Sequence, residues 1–162
     1  MITKHTISIL VNNQPGVLQR VSGLFGRRGY NIESITVGES EEIGLSRMVI
    51  VTNGDDNTLE QISKQLYKLV DVIKVIDLSK NPMVARELAL IKVNAEPSQR
   101  PEILGIVDTF RAAVVDIGPS SLIVQTIGDS DKIDAMIELL RSYGIRELTR
   151  TGATAMIRGA IK

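Results

Sequence analysis

The stretch Asn12–Ser34 reads NNQPGVLQRVSGLFGRRGYNIES. Two periodicities meet in it. Just before it, Thr6-Ile7-Ser8-Ile9-Leu10-Val11 alternates polar and apolar residues and then stays apolar, the pattern of a strand with one buried face. Within it, Val17, Leu18, Val21, Leu24 and Phe25 recur at helical spacing. Pro15 is expected at the first helical position, where its fixed φ suits a helix and its missing N–H had no partner to lose. Gly29 is expected to stop the helix, with Arg27 and Arg28 complementing the dipole of the last turn. Ile32, Ile35 and Val37 then open a second strand.

Working outward, the same alternation continues. Ser46–Thr52 reads as a strand, Leu59, Ile62, Leu66 and Leu69 as a helical stripe, and Val72–Leu78 as a strand. Asn57 and Glu60 have capping-box spacing at the head of that helix. The order is β-α-β-β-α-β over the first 80 residues, a split βαβ, ferredoxin-like unit. Lys80-Asn81-Pro82 breaks the pattern, which then repeats. Leu88–Val93 is a strand, and a helix opens between Pro97 and Pro101. Strands Val114–Ile117 and Leu122–Ile127 follow, with a helix capped at Asp129-Ser130-Asp131 and a last strand or hairpin over Ile145–Ile157. The fold class is therefore α+β, two tandem ferredoxin-like βαββαβ units, over residues 1–80 and 84–162. Two helices on one face of each four-stranded sheet would leave the other face to be covered by the other half or by another chain.

Composition narrows the function. Apolar residues are 43% of the 162, enough for a packed core. No apolar run approaches the roughly 20 residues of a membrane span. Met1-Ile2-Thr3-Lys4-His5 shows no basic-then-apolar leader pattern, and the chain is expected in the cytoplasm. With no cysteine there are no disulfides and no thiol chemistry. Nineteen basic and nineteen acidic residues, with 3% aromatics, argue against a nucleic-acid binder. The single histidine, His5, reads as an ordinary surface residue.

No nucleophile with an oriented base and no phosphate loop can be assembled, so catalytic residues are expected to be absent. Gly23, Gly26 and Gly29 are wrongly spaced for a dinucleotide fingerprint, and Gly23 and Gly26 read as helix–sheet packing positions. Glu39, Glu41 and Glu42 read as a solvated acidic turn and no metal site, and Thr151-Gly152 and Arg158-Gly159 as turn residues. The helix entrance is different. Its backbone N–H groups and partial positive charge suit an anion, and Gly16 has no side chain to block approach. Asn13 stands beside it, and Asn31, just after the helix, can both donate and accept. A small zwitterion matches this equipment, its carboxylate meeting the helix N–H groups and its ammonium carbonyl oxygens. The plainer alternative is that Asn13 caps the helix and Asn31 merely starts a strand.

The motif running from NNQPGVLQRVSGLFGRRGYNIESITVG to LSRMVIV resembles the regulatory small subunits of acetolactate synthase (acetohydroxyacid synthase). Their N-terminal half is an ACT domain, a small-molecule-sensing form of the βαββαβ unit. QLYKLVDVIKVIDL matches the end of that domain, and VVDIGPSSLIVQTIGDSDKIDAMIELL and RTGATAMIRG match the C-terminal domain. The resemblance implies a non-catalytic partner of a large catalytic subunit that carries thiamine diphosphate, Mg²⁺ and FAD, with no cofactor in this chain. It implies activation of that subunit and feedback inhibition by valine or another branched-chain amino acid. It also implies a homodimer through ACT domains, with the effector between Asn13, Gln14, Pro15, Gly16, Val17 and Leu18 of one copy and Asn31 and Ile32 of the other. An amino-acid sensor serving a different protein is the competing expectation.

Overall fold

The computed structural model describes residues 2–159. The chain divides into two compact units, one running to Val84 and resuming at Gly152, the other Ala85–Thr151. The sequence division at 80 and 84 left the final segment with the second repeat, whereas here the chain returns to the first unit.

The first unit contains β1 (Thr3–Asn12), α1 (Val17–Arg27), β2 (Ile32–Glu39), β3 (Leu45–Gly54), α2 (Asp56–Leu66), β4 (Val72–Asp77) and the short 3₁₀ turn Leu78–Lys80. The antiparallel sheet has the order β2-β3-β1-β4. Ile7, Ile9 and Val11 of β1 and Met48 and Ile50 of β3 face the helices, with Ile7 opposite Ile50 and Ile9 opposite Met48. Against them pack Val17, Val21, Leu24 and Phe25 of α1, spaced by four, three and one residues, and Leu59, Ile62 and Leu66 of α2. Burying side chains of this size stabilises the unit by about 1.5–3 kcal/mol each.

The other face of this sheet is covered too. Thr6, Ser8, Val49 and Val51 are buried on it. The returning segment lies there: Thr36 Oγ1 donates to the Ala153 carbonyl at 3.4 Å, and Gly152 packs directly on Ser34. Its strand β9 (Thr154–Ile157) pairs with β5 (Met83–Asn94), and the Arg158 amide donates to Pro82 O at 2.9 Å. Ile145–Ile157 is thus no hairpin, because β8 (Ile145–Arg150) also pairs with β5 and not with β9.

Three further sequence expectations are corrected. His5 is buried, its Nε2 set between Gly54 O (3.2 Å) and Thr3 Oγ1 (3.0 Å) and its Nδ1 3.8 Å from Asp77 Oδ2. The cap of α2 is Asp55, whose side chain accepts Thr58 N–H at 2.7 Å; Asn57 lies inside the helix. Gly26 faces outward, with nothing within 4 Å of an added Cβ, and an added Cβ at Gly23 would meet only Arg27 Nη1 at 3.3 Å, so helix–sheet packing explains neither.

The second unit repeats the pattern with β5, α3 (Arg100–Thr109), β6 (Ala113–Ile117), β7 (Ser121–Gly128), α4 (Ser130–Arg141) and β8, in the sheet order β6-β7-β5-β8. Ala89, Ile91, Val93, Leu122 and Val124 meet Ile103, Val107, Ile133, Met136, Ile137 and Leu140. Asp129 caps α4 through Lys132 N–H at 2.9 Å. Arg150 bridges the buried Glu87 and the exposed Asp134, and the Glu87 hydrogen bond holds its guanidinium above its ordinary value.

Both repeats end their first helix alike. In α1 the Tyr30 amide reaches back to Phe25 O (2.9 Å) and the Gly29 amide to Gly26 O (3.1 Å), a Schellman cap with Gly29 at φ 72°. Phe25 and Tyr30 meet edge to face across it. In α3 the Ala112 amide reaches Val107 O and the Arg111 amide Asp108 O, with Arg111 in the left-handed position at φ 53°.

Candidate functional site

The sequence places the candidate site at the entrance of α1, which the fold builds as a tight turn. β1 ends at Asn12, and the Asn13 amide donates to Gly44 O at 2.8 Å. Gln14-Pro15-Gly16-Val17 is a type II β-turn. Gly16 has φ 83° and ψ −3°, and the Val17 amide points at Gln14 O from 3.4 Å. Pro15 supplies the fixed φ of the second turn position, and only glycine reaches the third without strain. Pro15 is therefore a turn residue two places ahead of the helix, not its first residue.

Gly16 is the cap residue of α1, and no side chain caps the helix. Asn13 consequently does not do so, and that plainer account of it falls away. The amides of the first turn have no intrahelical acceptor, and the first helical bond is Arg20 N–H to Gly16 O at 3.0 Å. Asn13, Gln14, Pro15 and Gly16 are exposed, as is Leu18. Val17 turns inward and is 3% exposed, so it can line a site only through its backbone.

Asn31 and Ile32 lie elsewhere. α1 is 11 residues long, about 16 Å at 1.5 Å per residue. They follow its far end, where the exposed Asn31 accepts Thr52 Oγ1 at 2.5 Å through its carbonyl. Ile32 pairs with Thr52 at the start of β2, an edge strand, and its side chain packs on the core. The structure thus groups Asn13 to Leu18 and separates them from Asn31 and Ile32 of the same chain.

Sequence reasoning missed an ion pair at the entrance. Arg20 donates through Nε (2.9 Å) and Nη2 (2.6 Å) to Asp71 Oδ2. Its Nη1 lies so near Gly16 that an added Cβ would sit 2.9 Å from it. The two residues are 51 apart in sequence, and no local pattern links them.

Other polar groups at the surface are structural. Glu41 is held below the ordinary carboxylate range by its hydrogen bond from Arg47, which crosses the β2–β3 turn. Glu33 is lowered by the Asn53 side chain and by Lys4. Among the described residues no three His, Asp or Glu side chains converge as a metal would require. No helix among them is long and apolar enough to cross a membrane.

Comparison with known proteins agrees with this architecture. Residues 7–74 match the model of the AHAS small subunit-like ACT domain, and residues 86–159 that of the small subunit of acetolactate synthase. A probable acetolactate synthase small subunit of Methanothermobacter thermautotrophicus is 59% identical over 157 residues, covering 96% of this chain and 94% of the relative. The acetolactate synthase small subunit of Bacillus subtilis is 53% identical, covering 96% and 91%. The crystal structure of the Thermotoga maritima small subunit superposes with a TM-score of 0.90 at 47% identity, covering 98% of this chain and 99% of that one.

Proposed function

The chain belongs to the acetolactate synthase small-subunit family, and from that premise we propose that it activates the catalytic subunit and makes it sensitive to feedback inhibition by valine. Membership and the ACT domain carry the regulatory role. The finer reading rests on one observation: a helix entrance that no side chain caps stands about 16 Å of helix away from Asn31. A free amino acid is far shorter than that. For the Asn13–Leu18 turn and Asn31 to hold one molecule, they must come from two copies of the chain. The effector carboxylate then meets first-turn amides, and its ammonium meets the carboxamide and carbonyl oxygens at Asn31.

On this reading the chain is a cytoplasmic homodimer through its first unit and is no enzyme alone. The condensation of two pyruvates, or of pyruvate with 2-oxobutyrate, takes place on the catalytic subunit with its thiamine diphosphate, Mg²⁺ and FAD. Reconstitution tests it. Acetolactate formation by the matching catalytic subunit is measured with and without this chain, across a valine titration. Higher activity with the chain, falling as valine rises, is expected. Activity unaffected by the chain would refute the proposal and favour a sensor serving another protein.

A further inference from the structure

Asp71 grips both flanks of the turn that the proposed function makes the effector entrance. Its main-chain carbonyl accepts the Asn12 amide at 2.9 Å, just ahead of the turn. Its carboxylate accepts two nitrogens of Arg20, one helical turn beyond it. The third nitrogen, Nη1, rests against Gly16. Asp71 is 9% exposed and precedes Val72, which belongs to the core, so its carboxylate is both fixed in place and in need of a partner.

Packing does not demand this arrangement. Val17, Val21, Leu24 and Phe25 already hold α1 to the sheet along its inner face. The ion pair ties the first turn of the helix to the residue just ahead of β4, where it fixes how the turn and its amides are aimed. Binding through amides requires donors held to within about 0.5 Å of their working positions. We propose that the Arg20–Asp71 pair is the positioning device of the effector turn: it sets the affinity for the amino acid without touching it. This deepens the proposed function and rests on it.

The experiment uses the full chain with valine as the probe, in three variants: Arg20→Lys, Asp71→Asn and the two combined. Calorimetry gives the Kd for valine per folded chain, and thermal unfolding gives Tm. Each single variant is expected to weaken valine about three- to fivefold, because lysine cannot place two nitrogens on one carboxylate oxygen and asparagine carries no charge. The double variant is expected to be no weaker than the worse single one, since both break the same link. A merely structural pair would lower Tm and leave the Kd of the folded chain unchanged. Valine affinity within twofold of the unaltered chain in Arg20→Lys, or multiplied losses in the double variant, would overturn the proposal. Should Asp71→Asn fail to fold, Arg20→Lys decides alone, because the Arg20 side chain is 48% exposed. An unaltered chain that binds no valine would instead remove the function underneath.

Discussion

Gly16→Asp is the sharpest perturbation of the entrance. Two costs fall on folding. Gly16 stands at φ 83°, where a residue with a Cβ loses about 1–2 kcal/mol. The new Cβ also arrives 2.9 Å from Arg20 Nη1, and its carboxylate competes with Asp71 for that guanidinium. Arg20 is half exposed, so disturbing the pair adds no more than about 1 kcal/mol. Together these lower Tm by about 2–12 °C, at about 2–4 °C per kcal/mol for a chain of this size, and leave it folded. The cost to the effector is larger. Two like charges about 4 Å apart at an effective dielectric of about 20 repel by about 4 kcal/mol, roughly a thousandfold in affinity. Valine inhibition in the reconstituted enzyme is therefore expected to vanish over any practical titration, while activation without valine persists. Gly16→Ala, with the backbone strain and no charge, is expected to lose much less. A half-maximal valine concentration unchanged in Gly16→Asp would refute the placing of the effector carboxylate at this turn.

Asn31→Ala is expected to weaken valine binding in calorimetry; unchanged affinity would strike Asn31 from the site. Arg111→Gly is expected to stabilise the chain by about 1 kcal/mol, since it relieves a left-handed residue at the position where α1 carries Gly29; a lower Tm would refute that account of the cap. Gly26→Ala is expected to add about 0.5–1 kcal/mol, because its Cβ meets nothing in the chain; a lower Tm would refute the outward placing of Gly26. Asp55 is held below the ordinary aspartate value by the Thr58 amide first and the Thr58 hydroxyl second. A lowered carboxyl stabilises above its unfolded value and loses that contribution as pH falls through the folded one. Asp55→Ala should thus melt below the parent at pH 7, with the gap closing below about pH 4; a gap independent of pH would refute it.

The elements were legible because burial imposes its period on the chain. Ile7, Ile9 and Val11 alternate since one sheet face meets the helices, and Val17, Val21, Leu24 and Phe25 follow the helical period for the same reason. Turn chemistry was legible at Gly29, where the Schellman cap needs a left-handed residue, but not at Arg111, which takes the same conformation without glycine's signature. Pro15 misled because proline suits the first helical position and the second turn position equally, and only the φ of Gly16 separates the two. Asn57 misled because capping-box spacing is matched two residues earlier by Asp55 with Thr58. The burial of His5 and the destination of β9 depend on contacts between distant segments, which no local period reports. The uncapped turn ahead of α1 was readable from Pro-Gly ahead of an apolar stripe; the Arg20–Asp71 pair beside it, 51 residues apart, was not.

The length of α1 ties these features to regulation. Eleven residues of helix keep Asn31 from ever meeting the turn of its own chain. On the proposed function an effector held by both is therefore a statement about how two copies meet. Such a ligand favours the arrangement in which turn and Asn31 face each other, and it can shift the population only by its differential affinity for that arrangement. Reversing a 1:99 preference to 99:1 needs a difference of about 10⁴. A handful of amide and carboxamide hydrogen bonds reaches that figure only if they are already aimed when the effector arrives, since each bond is worth little once the entropy of ordering its donors is subtracted. The turn's rigidity, set by Pro15, by Gly16 and by the hold of Asp71 on both its flanks, is then what allows so small a molecule to govern a subunit that does the chemistry elsewhere.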